Sequence, residues 1–159
     1  MPTKKQALWL AAAAACAVAL VAYAMRTDAG ASYISPDDEA LVLRGKTVYA
    51  QNCAACHGAQ LEGQPDWRRR RPDGRLPAPP HDASGHTWHH ADAVLLDITR
   101  HGLVPGRTAP EGYRSDMPAY AGILPDEDIV AALAYIKSSW PEAERQAQKE
   151  VTLEDRKRR

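Results

Sequence analysis

The stretch Asn52-Cys53-Ala54-Ala55-Cys56-His57-Gly58 decides how the rest of the chain reads. Two thiols three positions apart, with an imidazole directly after the second, share about one turn of backbone. Four chemistries use a pair of this kind: a dithiol redox centre, half of a zinc site, a local disulfide, and covalent attachment of a flat cofactor. A thioredoxin-like redox pair wants a βαβ setting, and no strand pattern lies near residue 53. A four-ligand zinc site wants a second ligand pair, yet the only other cysteine is Cys16, inside an apolar run at the N-terminus.

The trailing histidine points to the fourth chemistry, because Cys-x-x-Cys-His is the attachment signature of c-type haem. At this spacing two sulfurs reach the two vinyl groups on one porphyrin edge. His57 is then carried under the ring, where it can bind iron from one face. Cys53 and Cys56 are therefore the expected thioether sites of one covalently bound haem c, and His57 the expected first axial ligand.

Composition fits an interior filled by something other than side chains. The 159 residues amount to one domain. The charge is balanced, 20 Lys and Arg against 20 Asp and Glu, which excludes a globally basic nucleic-acid binder and a chain swollen by self-repulsion. Past residue 25 there are 21 Leu, Val and Ile among 134 residues, 11 Pro and no Phe. A chain that folds on its own core carries about one-fifth or more of such large apolar residues. A fixed planar apolar group would supply what is missing.

Lys4 and Lys5 precede an uncharged run from Ala7 to Met25. As a helix this run would span about 28 Å, close to the hydrocarbon thickness of a bilayer. Trp9 and Tyr23 sit near its ends, and Arg26 follows it, a pattern that fits a cytoplasmic N-terminus with the rest exported. Residues 1–26 are expected to form one transmembrane helix in a bacterial inner membrane, with the remainder in the periplasm. The rival is a signal peptide cleaved after Ala22-Tyr23-Ala24, which leaves a soluble periplasmic protein. Cys16 reads as a small packing residue.

Iron held by one histidine keeps an open face. Past the N-terminal run the single methionine is Met117, in Ser115-Asp116-Met117-Pro118-Ala119-Tyr120. It lies 60 residues after His57 on a segment rich in Pro and Gly. A soft thioether stabilises Fe(II), and His/Met ligation raises the reduction potential, which suits electron transfer. Met117 is the expected second axial ligand. His81, His86, His89, His90 and His101 leave bis-histidine ligation open.

Over about Asp37 to Trp140 these features resemble the class I mono-haem cytochromes c. Met117-Pro118-Ala119-Tyr120 is similar to the distal-ligand segment of that family. The resemblance implies an all-α fold of haem-wrapping helices with long loops. It implies a first helix crossing the last at close range through a glycine and an aromatic, places that Gly45 and Tyr135 fill. It implies a proline carbonyl, from Pro79 or Pro80, accepting the Nδ1–H of the proximal histidine; the family's usual leucine just beyond is His81 here. It implies that Trp88 packs on the haem edge. It also implies an electron carrier and not an enzyme.

The periodicity agrees with such a fold. Pro36-Asp37-Asp38-Glu39 opens a helix that runs to about Ala50, and a proline-rich loop covers Gly58 to His90. A short helix spans Asp92 to Arg100, and a last core helix starts at Leu124-Pro125-Asp126 and ends before Pro141. The expected organisation is a membrane anchor or signal over 1–26, a linker over 27–36, a haem domain over 37–141, and a charged tail over 142–159, frayed or disordered. Trp67-Arg68-Arg69-Arg70-Arg71 reads as a solvated loop, a docking or lipid-headgroup patch, or a source of one arginine for a haem propionate. His86, His89 and His90, with His81, read as polar surface or as a copper site.

The function expected is transfer of single electrons between a redox donor and an acceptor, such as an oxidase or dehydrogenase complex, at a membrane surface, with no nucleic-acid partner. A haem-based redox or gas sensor and a histidine-rich copper-binding protein are the alternatives. Without haem, the buried apolar area over residues 37–140 should not offset chain entropy. A Cys53→Ala/Cys56→Ala chain is expected to melt without a cooperative transition by circular dichroism.

Overall fold

The computed structural model describes residues 33–159. The predicted membrane segment, 1–26, and most of the expected linker lie outside the described residues. Among the described residues no helix is long and apolar enough to cross a membrane, and there is no strand beyond two isolated bridges. The elements are α1 (Glu39–Asn52), α2 (Ala54–His57), a single 3-10 turn (Thr87–His89), α3 (Asp92–His101), α4 (Asp126–Ser138) and α5 (Glu142–Arg158). Helices α1, α3 and α4 fall where the periodicity places them, and the four-residue α2 was not among those expected.

Helix α1 starts on Asp38, whose carboxylate accepts the Leu41 N–H at 3.0 Å and satisfies one otherwise unpaired donor. It buries Gly45, Val48 and Tyr49 against α4, the most extensive contact between helices. α4 is apolar almost all round: Ile129, Ala131, Ala132, Leu133, Ala134 and Ile136 are buried, so neighbours approach it from several sides. The closest approach is at Gly45. A Cβ there would lie 1.9 Å from the Ala131 carbonyl oxygen and 3.0 Å from the Cβ of Tyr135. Only glycine permits that crossing, and the Gly45–Tyr135 pairing implied by the resemblance is present. The core around it comprises Ile34, Tyr49, Leu61, Leu95, Leu96, Ile129, Leu133, Ala134, Ile136 and Trp140.

Both ends of the domain differ from the sequence expectation. The expected linker ran to residue 36, yet Ile34 is a core residue and Pro36 is buried. The expected frayed or disordered tail is the 17-residue helix α5, and its Gln148 and Thr152 are completely or almost completely buried. The reason is a polar fastening. Asp92 accepts the Ile34 N–H on one carboxylate oxygen at 2.8 Å. Its other oxygen accepts Lys137 Nζ and Gln148 Nε2, each at 2.7 Å. The Asp92 N–H donates to Thr152 Oγ1 at 3.1 Å, and Lys137 Nζ lies 3.7 Å from the Tyr33 ring centroid. α5 thus docks through polar side chains one helical turn apart, a pattern invisible to a search for apolar period.

Lys137 has no solvent exposure, and burial pushes its pKa down to about 8 against the pull of the Asp92 carboxylate. Removing one member of a buried pair strands the other. Asp92→Ala is therefore expected to cost about 3–5 kcal/mol. Asp128→Ala, which breaks the surface pair with Arg44 at 2.6 Å, is expected to cost less than about 1 kcal/mol. Urea melts of the haem-loaded protein measure both.

Candidate haem site

Helix α1 delivers the site. Its last turn ends on Cys53, whose N–H bonds the Tyr49 carbonyl at 2.9 Å. α2 follows without a break, and the His57 N–H bonds back to the Cys53 carbonyl at 2.9 Å. Cys53, Cys56 and His57 therefore share a tight turn. Both cysteines are free thiols, Cys53 part-buried and Cys56 exposed. Burial, and then the neighbouring Cys56, push the Cys53 thiol up to about 11.

His57 is buried. Its Nδ1 donates to the Pro79 carbonyl at 2.8 Å, which selects Pro79 over Pro80 for the role the resemblance implies. That bond fixes the tautomer and leaves the Nε2 lone pair free for a metal. Burial holds the ring's pKa below its ordinary value, against the pull of the Pro79 bond, so the imidazole is neutral and ligand-ready. Two free thiols beside a neutral, tautomer-fixed imidazole are the donor set that haem c requires.

The proline-rich loop is pinned rather than loose. The Gly63 N–H bonds the His57 carbonyl at 2.8 Å, and the Gln64 N–H bonds the Ala78 carbonyl at 2.9 Å. Gly63 has φ +69°, and a Cβ on it would lie 2.4 Å from the Pro80 nitrogen. The chain can bring Pro79 to His57 because residue 63 has no side chain in the way.

Met117 is part-buried on a loop held at both sides. The Tyr120 and Ala121 N–H groups bond the carbonyls of Thr99 and Arg100 at the end of α3, at 3.1 and 2.9 Å. The Tyr120 hydroxyl donates to the Asn52 carbonyl, one residue before Cys53, at 2.5 Å. Asp116 pairs with Arg75 at 2.8 Å and with Arg71 at 3.5 Å. The structure thus brings the Met117 loop to the cysteine turn through Tyr120, and ties part of the arginine run to the same loop. Elsewhere in that run, Arg68 lies over the Trp67 ring at 4.0 Å and Arg70 over Tyr113 at 5.3 Å. Residues 71 and 116 carry no shared spacing signal, so these ties were not readable beforehand.

The histidines considered for copper do not gather on one point: His81 stacks on His57, and among the others His86 meets only His90, edge-on with ring centroids 5.5 Å apart. His86 stacks on Trp67 with ring centroids 5.3 Å apart, and His89 stacks on Trp88 at 3.6 Å. Among the described residues no three His, Cys, Asp or Glu side chains are gathered to hold a metal. The copper site considered from the sequence is therefore not formed there, because two of its imidazoles pack flat on indoles. Trp88 itself is part-buried against the core and donates Nε1 to the Ala83 carbonyl at 3.3 Å.

A helical fold closed around a Cys-x-x-Cys-His turn defines a c-type haem protein. The chain belongs to the cytochrome c family, whose family model matches residues 42–140. Covalently bound haem c comes with that membership, and family members are generally electron carriers. A segment of 94 residues is 30% identical to the cbb3-type cytochrome c oxidase subunit FixP of Azorhizobium caulinodans. It covers 59% of this chain and 28% of that relative's length. No solved structure matches the chain significantly.

Tyr120→Phe removes the hydroxyl bond that joins the Met117 loop to the cysteine turn. The expected cost is about 1 kcal/mol in a denaturant melt. Faster hydrogen exchange at the Tyr120 and Ala121 amides should accompany it.

Proposed function

We propose that this chain is a mono-haem electron carrier in which Cys53 and Cys56 hold haem c as thioethers and His57 and Met117 take the two axial positions. The observation that carries this reading is His57, a buried neutral imidazole committed at Nδ1 to Pro79, on a turn with two free thiols. When bound, the haem supplies an iron that cycles between ferric and ferrous states. The chain's own groups do the rest. Pro79 holds the orientation and basicity of His57. Tyr120 and Asp116 hold the loop that presents Met117. Leu61, Leu95 and Leu96 belong to the apolar wall that excludes water, which tunes the potential. Cys56, exposed, would hold its thioether at the domain surface, within reach of a partner. Each cycle takes one electron from a donor and gives one to an acceptor, with no atom exchanged.

The partners in this reading are a redox protein donor and an acceptor complex at a membrane. The relative's name, a subunit of a cbb3-type oxidase, supports an oxidase complex over a dehydrogenase. The apolar run and flanking lysines support an anchor over residues 1–26 in the bacterial inner membrane, with the haem domain in the periplasm. Anchoring raises the effective concentration of the carrier near such partners. Cleavage after Ala24 would instead release a soluble periplasmic protein.

Met117→Ala is the test of the axial assignment. The expected result is a lowered potential, a shift toward high spin, and carbon monoxide binding by the ferrous protein. Unchanged spectra and potential would sink the assignment. Tight carbon monoxide binding by the native ferrous protein would favour a sensor. Haem that stays on the chain in acidified organic solvent, and a haem-stained band in salt-washed membranes, check attachment and anchoring.

A further inference from the structure

His81 is the one imidazole laid directly on the proximal ligand. Its ring stacks on that of His57 with centroids 3.9 Å apart and planes 17° from parallel. The stack is held from the backbone on both sides. The His81 N–H donates to the Leu61 carbonyl at 2.7 Å, and its carbonyl accepts Trp140 Nε1 at 2.7 Å. Leu61 is itself buried with φ +70°, a left-handed backbone that a leucine adopts only when its surroundings impose it. Tyr49 meets the His81 ring edge-on, with centroids 6.0 Å apart.

The His81 ring also carries an unexplained polar atom. Its Nδ1 is shut off from solvent and has no hydrogen-bond partner. Leaving a buried polar group unpaired costs about 1–3 kcal/mol, and a leucine would pack there without that cost. A ring so placed is expensive as packing. Its electrostatics give it a use.

We propose that His81 is a positioning residue that fixes the orientation of the His57 ring and lowers the reduction potential by favouring the ferric state. This rests on His57 being an axial ligand. A ligand imidazole gives more electron density to ferric than to ferrous iron, so its ring is the more electron-poor in the oxidised protein. The negative π-face of a second imidazole stabilises an electron-poor ring lying against it. An imidazole face is richer in π-electrons than a phenyl face, and little water reaches it to screen the effect. The effect weakens with a phenyl ring and vanishes with an aliphatic side chain.

The test uses the full haem-loaded protein with His81→Leu, His81→Phe and, as a control away from the stack, His86→Leu. Each is poised at the native midpoint potential and read by its visible spectrum. His81→Leu is expected to raise the ferrous-to-ferric ratio at least threefold, which at 59 mV per tenfold for one electron is a rise of about 28 mV. His81→Phe, which keeps the stacked face and loses the nitrogens, is expected to fall between Leu and native, and His86→Leu to match native. The spread of the haem methyl resonances in the ferric form should change in His81→Leu, because it reports the angle of the axial ring. A ratio for His81→Leu equal to or below native overturns the proposal. If His81→Leu does not take up haem, His81→Phe decides by the same criterion, any rise above native supporting it. The spectra keep the two levels apart. An unchanged low-spin spectrum with an unchanged ratio removes the role of His81 alone, whereas a native spectrum that survives His57→Ala removes the ligand assignment itself.

Discussion

The crossing of α1 over α4 at Gly45 is the constraint from which the rest of the domain is laid out. A peptide carbonyl, that of Ala131, occupies the space where any other residue would carry its Cβ. With the two axes this close, α1 has one seat on α4, and its C-terminal end has one position. Cys53 is the first residue past that end, so the seat of α1 is also the seat of the attachment turn. Tyr49, on the buried face of α1, tightens the link. Its ring lies 5.4 Å from that of Tyr135 on α4, and its hydroxyl holds the Gly58 carbonyl just past His57 at 2.9 Å.

A second set of constraints comes from backbone carbonyls rather than from apolar contact. Pro79 holds His57, Gly58 holds Tyr49, Asn52 holds Tyr120, and His81 holds Trp140. Each joins a side chain to a carbonyl from another part of the chain. This is how a domain with few aliphatics and many prolines gets long loops to keep one course. The loop backbone cannot satisfy itself in a ladder, so it is satisfied by side chains that the core already fixes.

Much of this was legible in the sequence. Cys53, Cys56 and His57 announce themselves by spacing, and the helices announce themselves by period and by the acids at their starts. Gly45 and Tyr135 were found through family likeness, and the structure gives the reason in atoms. What stayed hidden was polar. Gln148 and Thr152 look like surface residues because nothing in one dimension shows that Asp92 and Lys137 await them. Tyr33 and Ile34 look like linker for the same reason. The pairing of Asp116 with Arg75 joins residues with no pattern in common. His81 is visible in the sequence only as a departure from a leucine, because its stacking on His57 is made by a loop that returns from 24 residues away.

The shared carboxylate of Asp92 also has a mechanical meaning. The segment that leads into the domain is fastened at Ile34 to Asp92, and Asp92 is braced by α4 through Lys137 and by α5 through Gln148 and Thr152. Tension arriving along the chain at residue 33 enters α3, α4 and α5 together before it reaches α1. A pull on the leading end is thus shared among three helices before it passes along the chain to α1 and the turn that carries Cys53, Cys56 and His57.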